Sequence, residues 1–250
     1  MKRPNNITKN DWILLCQKYP NEINKILKKI ETGYPIQYLI GYVDFFNCQI
    51  IVNKNVLIPR FETELLVNYT IEKINDKFPL KNITILDCGT GSGCIAIKLK
   101  KTFCDSKVIA IDKSKKALRI AFSNAILNNV KIIFKNKTFK AIKDKEIDVI
   151  ISNPPYIGTD DEIEETVKKY EPKAALFAGR NGLLYYDQIL KKSLKVLSKN
   201  YLICFEIGAN QSEAITKLIL NYYPQSNIEI KKDYCGKDRF VFITNQCRRM

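Results

Sequence analysis

Apolar residues recur with a helical period in the first part of this chain. Between positions 23 and 30, three isoleucines and a leucine stand at i, i+3, i+4 and i+7, a spacing that puts side chains on one face of a helix. The sequence therefore predicts two short N-terminal helices, over residues 1–17 and 20–31. Glycine and proline at positions 33 and 35 then break the pattern.

The next stretch, residues 38–60, has the pattern of extended chain. Within it, residues 44–52 predict a β-hairpin whose turn lies near Asn47. A helix is expected to begin at residues 61–63 and to run to about Ile74.

From residue 83 onward, strands and helices alternate at the spacing expected of βαβ units. Strands are expected at 83–86, 107–111, 131–135, 147–152 and 201–207, helices at 94–101, 183–197 and 212–220, and a final antiparallel pair at 228–232 and 239–244. A further helix, capped by Ser114, would carry Ala117, Leu118, Ala121, Phe122 and Ala125 on one face. This pattern predicts an α/β fold with a Rossmann-like, mostly parallel sheet. The chain would divide into a short helical N-terminal segment (1–32), a hairpin with a linker helix (33–75) and a large α/β domain (76–250).

Composition is that of an ordinary globular protein, with 250 residues, of which 46% are hydrophobic and 27% charged. No apolar run approaches the ~18 residues of a membrane span, and no signal-peptide pattern follows the basic N-terminus. The eight cysteines show no Cys-x-x-Cys spacing and histidine is absent, which argues against a metal site or a disulfide framework. We therefore expect a reducing, cytoplasmic location, with no metal and no membrane partner.

The formal net charge is +15, and the lysines are spread along the chain without a dense basic tail. Lysine-biased codon usage explains such a charge as well as attraction to an anionic partner does, for example RNA or a ribosome-associated protein. Charge therefore leaves the substrate open.

The strand at 83–86 leads into residues 87–93, Asp-Cys-Gly-Thr-Gly-Ser-Gly, where glycine allows the backbone to approach a ligand closely. A dinucleotide fingerprint has its third glycine one place later, where this chain has Cys94, so the spacing suits a ligand without a pyrophosphate. Asp112, at the end of the next strand, could accept both ribose hydroxyl protons. Asp87 could bind an ammonium group. Together these residues favour S-adenosylmethionine over NAD. The alternative interpretation is a helix turn with incidental glycines and surface aspartates.

The buried strand at 147–152 is cut off by Asn153-Pro154-Pro155-Tyr156. An amide nitrogen is a poor nucleophile because its lone pair is delocalised, and a pocket that accepts both N–H hydrogens would aim that lone pair at a methyl group. The Asn153 side-chain oxygen could accept one hydrogen and the Pro154 carbonyl the other, while Tyr156 lies against the flat group. A positive sulfonium needs no general base in advance, which agrees with a chain lacking histidine.

The chain resembles the HemK/PrmC-type glutamine N5-methyltransferases that modify peptide chain release factors. The resemblance runs from about Gly33 to Phe242 and is carried by the segments 33–38, 57–64, 87–93, 153–156, 171–172, 181–183, 206–208 and 236–239. Asn-Pro-Pro-Tyr alone is shared with DNA and RNA amino-methyltransferases. The Leu-Ile-Pro-Arg block at 57–60 narrows the resemblance to this family.

The resemblance implies a class I methyltransferase fold with S-adenosyl-L-methionine as cofactor, and a release factor with a Gly-Gly-Gln motif as partner, with no nucleic acid required. The predicted cofactor-binding residues are Asp87, Gly89, Thr90, Gly91, Ser92, Gly93, Asp112, Phe139 and Asn153. The predicted substrate-binding residues are Asn153, Pro154, Pro155 and Tyr156, of which Asn153, Pro154 and Tyr156 are also assigned to catalysis. Phe139 is expected to cover the adenine.

Two other hypotheses remain at this stage. A nucleic-acid amino-methyltransferase would suit the +15 charge, but it would flip a base into the pocket through an aromatic and basic channel that the sequence does not reveal. A binding module without catalysis is disfavoured by the intact Asn-Pro-Pro-Tyr and glycine segments. Arg60, Glu62 and Glu64 are interpreted as structural pairing or lid residues, with closure over the cofactor as the alternative.

Overall fold

The computed structural model describes residues 3–79 and 82–245. The helices are α1 (Lys9–Lys18), α2 (Ile23–Glu31), α3 (Ile36–Ile40), α4 (Phe61–Lys77), α5 (Cys94–Thr102), α6 (Lys115–Leu127), α7 (Glu165–Tyr170), α8 (Leu184–Ser193) and α9 (Ser212–Tyr222). The strands are β1 (Tyr42–Phe45), β2 (Cys48–Ile51), β3 (Thr84–Cys88), β4 (Lys107–Asp112), β5 (Ile133–Asn136), β6 (Ile147–Ser152), β7 (Leu197–Glu206), β8 (Ser226–Lys232) and β9 (Asp238–Asn245).

Seven strands form one sheet in the order β5-β4-β3-β6-β7-β9-β8. The first five are parallel, and β9 runs antiparallel between β7 and β8. The chain crosses from β3 to β4 on one side and returns to β6 on the other. The strand order therefore reverses at β3, which is where open α/β sheets bind their ligands.

Alternate residues of the central strands face two different layers of helices, as the period of a strand requires. Ile85 and Val149 pack in one cluster with residues of α4, α5 and α6. Leu86 and Ile150 pack in a second cluster with residues of α8 and α9. All four side chains are almost completely buried, so these strands are covered on both faces.

The N-terminal helices form a separate small cluster that contains Leu15, Ile26 and Leu39. The hairpin of β1 and β2 instead joins the core of the large sheet, because Phe45 and Ile50 pack in the same cluster as α4 and α5. The hairpin and α4 are thus part of the support of the sheet.

The α/β class, the parallel sheet and its final antiparallel pair are confirmed. The hairpin turn is also as predicted: Phe46 and Asn47 both have positive φ, 49° and 60°, the backbone twist that two-residue hairpin loops require. The division of the chain at residues 32 and 75 stays a prediction.

Several predicted boundaries were wrong, among them the strand predicted from 201, which begins at 197, and the helix predicted from 20, which begins at 23. Helix α1 begins at Lys9, because Thr8 caps it by accepting a hydrogen bond from Asp11 N at 3.1 Å. Residues 38–40, predicted to be extended, are helical, and Gly41 ends the helix in the left-handed region. The side chains of Tyr38, Leu39 and Ile40 are all buried, whereas a strand would point them alternately to opposite faces. The predicted helix 183–197 ends at Ser193, and β7 has begun by 197.

Cys88 and Cys204 lie fully buried in strands, as expected of small apolar residues, and the cysteines of the described ranges are free. Cys247 lies outside the described residues. In the described part of the chain, no helix is both long and apolar enough to cross a bilayer.

Asn124 of α6 is fully buried and holds the hairpin against the glycine segment. Its Oδ1 accepts from Ile51 N at 2.7 Å, and its Nδ2 donates to Ile51 O at 3.0 Å and to Ser92 O at 2.8 Å. We expect Asn124→Ala to lower the free energy of unfolding by about 2–4 kcal/mol, since each buried polar group left unpaired costs about 1–3 kcal/mol.

Urea denaturation followed by circular dichroism measures this change. Ser123→Ala, on the exposed face of the same helix, is the matched control. Equal stability of the Asn124 and Ser123 variants would show that the buried amide does not hold the hairpin.

Candidate active site

The parallel pairing of β3 with β6 sets the geometry of the site. Asp87 stands opposite Ile151 in the register, so both strands end at the same edge of the sheet. Ser152, the last residue of β6, donates its hydroxyl to the Cys88 carbonyl at 2.5 Å. The glycine segment after β3 and the Asn-Pro-Pro-Tyr segment after β6 are therefore neighbours.

The glycine segment forms a tight loop between β3 and α5. Gly89 N and Thr90 N both donate to Ile111 O at 2.9 Å, which fastens the loop to the neighbouring strand. Gly93 has φ of 85°, and a Cβ there would stand 3.0 Å from Ala121 Cβ. Glycine at this position is thus required both by the backbone and by the close approach of α6.

Asp112 closes the other side of this loop. Its Oδ2 accepts from Gly91 N at 3.0 Å and its Oδ1 from Ser114 N at 2.8 Å. Burial raises the pKa of Asp112, and the two backbone hydrogen bonds partly offset that effect. Each carboxylate oxygen has a second lone pair, so the side chain can accept two further hydroxyl donors.

Asp87 is fully buried at the end of β3. Its Oδ2 accepts from the Thr90 hydroxyl at 2.6 Å, whereas Oδ1 is the one buried side-chain oxygen or nitrogen without a hydrogen bond within residues 3–79 and 82–245. Burial raises the pKa of Asp87 to about 7, against the hydrogen bond from Thr90. A buried acceptor of this kind is costly unless a donor completes it.

A cavity of about 330 Å³ opens at this edge, within the range of small-molecule sites. It is lined by the predicted residues Gly89, Thr90, Gly91, Ser92, Asp112, Phe139, Asn153 and Pro155. The predicted residues Gly93, Pro154 and Tyr156 adjoin lining residues in the chain but do not line the cavity themselves, and neither does Asp87, two positions before Gly89. The glycine loop and Asn153, predicted separately, thus line one cavity.

One wall of the cavity is aromatic. Phe139 and Tyr185 pack edge to face, with ring centroids 5.7 Å apart, and Lys113 Nζ donates to the Tyr185 hydroxyl at 2.8 Å. The Phe139 ring also packs against the loop, with its Cζ 3.6 Å from the position of a Cβ on Gly89. A planar group can pack against this wall.

Another part of the cavity lining comes from two segments joined by Glu171. This carboxylate is 5% exposed, forms an ion pair with Arg60 and accepts from Ile58 N at 3.1 Å. The interpretation of Arg60 as a pairing residue is therefore confirmed. Residues close to Arg60 and Glu171 in the chain line the cavity. They are Leu57 and Pro59 before Arg60, and Pro172, Ala174 and Ala175 after Glu171.

Asn153 is tied to a buried polar chain. Its Nδ2 donates to Thr63 Oγ1 at 3.0 Å, and Thr63 Oγ1 donates to Glu206 Oε2 at 2.8 Å. The Tyr156 hydroxyl reaches Glu206 Oε1 at 3.5 Å. Glu206 is 2% exposed, and burial raises its pKa to about 7, against the hydrogen bond from Thr63.

The sequence prediction missed Thr63 and Glu206 as parts of the site. Thr63 lies 90 positions before Asn153, and Glu206 lies 53 positions after it. One signal was present: Glu206 is a polar residue at the carboxyl end of a buried strand, as Asp87 is. Carboxyl ends of parallel strands share one edge, so Glu206 could have been included.

The segment after Asn153 is held from behind. Gln211 Nε2 donates to Tyr156 O at 2.9 Å, and a Cβ on Gly182 would stand 2.2 Å from the same carbonyl. Burial raises the pKa of Tyr156, and the nearby Glu206 charge adds to that effect. Tyr156 therefore keeps its hydroxyl proton at neutral pH.

Within the ranges that the structure describes, no three His, Cys, Asp or Glu side chains are grouped as they would be around a metal ion.

The family model described as the methyltransferase small domain matches residues 62–197. A release factor glutamine methyltransferase of Enterococcus faecalis is 41% identical over 241 residues, which cover 93% of this chain and 86% of that protein. The corresponding protein of Flavobacterium psychrophilum is 42% identical over 223 residues, which cover 87% of this chain and 78% of the relative. The chain belongs to the release factor glutamine methyltransferase family.

A solved structure supports the fold of this family member. The ribosomal protein L11 methylase of Lactobacillus delbrueckii subsp. bulgaricus superposes with a TM-score of 0.56 at 20% identity, covering 82% of this chain and 90% of that one. At this identity the likeness concerns the fold alone. The methyltransferase fold predicted from the sequence is thus confirmed by both kinds of comparison.

The raised pKa of Asp87 predicts how stability depends on pH. In the unfolded chain an Asp loses its proton near pH 4, whereas the folded protein holds this proton up to about pH 7. The unfolded state therefore binds fewer protons between these values, and stability contributed by Asp87 is lost as pH rises from about 4 to 7.

Asp87→Asn removes this titration, so we expect the stability of the variant relative to the wild type to improve as pH rises from 5 to 8, by up to about 3 kcal/mol. Denaturant unfolding of the ligand-free protein at several pH values measures the difference. Asp105→Asn, at an exposed position, controls for the loss of one charge. A constant difference between Asp87→Asn and wild type across this range would contradict the raised pKa.

Proposed function

We propose that this protein transfers a methyl group from S-adenosyl-L-methionine to the side-chain nitrogen N5 of the glutamine in the Gly-Gly-Gln motif of class I peptide chain release factors. The observation that carries the proposal is the placement of Asn153 beside the glycine loop in one cavity. Membership of the release factor glutamine methyltransferase family supports the choice of substrate.

The described residues fit S-adenosylmethionine. The unpaired Oδ1 of Asp87 offers a buried anionic acceptor for a cationic ligand, reached directly or through a water. Asp112 has lone pairs for two ribose hydroxyls, and Phe139 lies in the aromatic wall where a purine would pack. The loop of Gly89, Thr90, Gly91, Ser92 and Gly93 would hold the remainder of the cofactor.

When bound, the cofactor supplies an electrophilic methyl group on a positive sulfonium. The contribution of the protein is to hold the acceptor nitrogen. Asn153 Oδ1 and the Pro154 carbonyl would each accept one hydrogen of the glutamine amide, and Tyr156 would lie beside its plane. Fixing both hydrogens turns the nitrogen lone pair toward the methyl group, which is catalysis by positioning in a preorganised polar site.

Partner and location follow from the same proposal. The partner is a release factor, with neither a metal nor a nucleic acid required, and the location is the reducing cytoplasm, where free thiols such as Cys88 persist. The segment 1–32 is proposed as a separate small unit; its buried apolar residues pack in one cluster, which Leu39 and Ile40 complete.

Incubation with labelled S-adenosylmethionine and, in separate reactions, a purified release factor, total RNA and DNA tests the substrate. We expect the label on the release factor, at the glutamine of Gly-Gly-Gln when located by mass spectrometry. Label on RNA or DNA alone would replace the proposal with the nucleic-acid amino-methyltransferase, which the +15 charge also suits.

Asn153→Ala should abolish methyl transfer, because one of the two acceptors for the amide hydrogens is removed. Cofactor affinity should change little, as measured by calorimetry with S-adenosylhomocysteine. Asn68→Ala, an exposed amide of α4, is the matched control. Turnover of the Asn153 variant equal to that of the control would remove Asn153 from its role.

Asp112→Ala should weaken cofactor binding by about 1–3 kcal/mol, the scale of hydrogen bonds to a charged group. Calorimetry measures the affinity, with the exposed Asp105→Ala as control. Since Asp112 also holds Gly91 N and Ser114 N, a thermal melt must accompany the titration. An unchanged affinity would rule out the ribose contact.

A further inference from the structure

The amide of Asn153 can meet the cleft in two ways, and only one is productive. If Oδ1 faces the substrate, it accepts an N–H of the glutamine amide. If Nδ2 faces it, two donors oppose each other and the acceptor is lost. A free amide side chain has no strong preference between these two orientations, so neighbouring groups of the protein must select one.

Buried neighbours supply that preference. An ionised carboxylate can only accept, so Glu206 Oε2 takes the single hydroxyl proton of Thr63, at 2.8 Å. The Thr63 oxygen is then an acceptor toward Asn153, and the atom 3.0 Å from it must be the NH2 group. Thr63 is 3% exposed, so water has little room to substitute for either partner.

The other end of the amide is left for a ligand. Among the residues described here, none donates a hydrogen bond to Asn153 Oδ1, and this oxygen is not fully buried. Asn153 itself lines the cavity. The oxygen is therefore accessible to a ligand, on a residue that lines the same cavity as the glycine loop.

We propose that Glu206 and Thr63 are positioning residues that fix the direction of hydrogen bonding through Asn153, so that Oδ1 and not Nδ2 meets the substrate amide. This inference rests on the proposed function. It assigns a role to two residues that touch neither reacting atom: Glu206 sets the direction, and Thr63 transmits it.

Several charged or titratable groups face Glu206. Tyr156 reaches Oε1 from the segment after β6, Arg239 of β9 carries a positive charge nearby, and Glu62 of α4 carries a negative one. Tyr186 of α8 donates to the Glu206 backbone carbonyl at 2.7 Å. Burial outweighs Arg239, so the Glu206 pKa lies at about 7.

This titration connects the hydrogen-bond chain to pH. A protonated carboxyl can donate to Thr63, which frees the Thr63 hydroxyl to donate to Asn153 and so reverses the amide. With substrate and cofactor both saturating, kcat should therefore fall as pH drops through about 7. This fall in kcat reports the titration of Glu206 in the complex with both substrate and cofactor bound. The titration of Asp87 would instead change the affinity for the cofactor.

Glu206→Gln is the sharpest test, because the variant side chain has nearly the same shape and can donate to Thr63. We expect kcat to fall on the order of 100-fold, the scale of a misdirected catalytic group. The affinity for S-adenosylhomocysteine should stay within about twofold of wild type, since the cofactor loop is unaltered. The residual kcat of this variant should no longer fall as pH drops through about 7.

Thr63→Val removes the relay with little change in volume and should lower kcat similarly, while Thr63→Ser, which keeps a hydroxyl, should restore most of the loss. Thr70→Val is the matched control, because Thr70 is a fully buried threonine of the same helix whose hydroxyl donates to Leu66 O at 2.7 Å. If Thr63→Val does not fold, Glu206→Gln with its pH profile decides alone.

Wild-type kcat in Glu206→Gln, or a fall in kcat near pH 7 that persists in it, would overturn the positioning role while leaving release factor methylation in place. A wild-type enzyme that labels no release factor would instead overturn the proposed function. The two failures are thus distinguishable in one set of assays.

Discussion

The parallel pairing of β3 with β6 is the constraint on which the site depends. Asp87 lies opposite Ile151, so the loop that follows one strand and the Asn-Pro-Pro-Tyr segment that follows the other emerge side by side. The hydrogen bond from Ser152 to the Cys88 carbonyl locks the two ends together. Helices on both faces exclude water from the strands, which leaves this edge as the place where polar groups can meet a ligand.

Three adjacent strands, β3, β6 and β7, each end in a polar group, namely Asp87, the Ser152-Asn153 pair and Glu206. Burial makes the charged form of both carboxylates costly, as their raised pKa values of about 7 show. Stability alone would favour apolar residues at such positions. The fold thus tolerates two destabilising groups at the same edge, one beside the glycine loop and one behind the Asn-Pro-Pro-Tyr segment.

The sequence predicted the elements that local patterns encode. The alternation of strands and helices predicted the fold, and the two segments singled out by the glycines at 89, 91 and 93 and by Asn-Pro-Pro-Tyr lie at one cavity. Their roles in binding stay predictions. Contacts between distant positions were not predictable, because neither a period nor a motif records them. Thr63 behind Asn153 and Asn124 against the hairpin are buried polar residues on helices, where the sequence alone suggested a helix start and a helix face. Short elements such as α3 were missed because five residues cannot establish a helical period.

The central claim is that the cleft between the glycine loop and Asn153 holds a glutamine amide facing the methyl donor. A crystal structure of the protein with S-adenosylhomocysteine and a Gly-Gly-Gln peptide measures this directly. We expect the glutamine side-chain nitrogen to lie within about 2.7–3.2 Å of both the Asn153 side-chain oxygen and the Pro154 carbonyl oxygen, turned toward the sulfur. A glutamine side chain bound outside this cleft, with the cofactor in place, would contradict it.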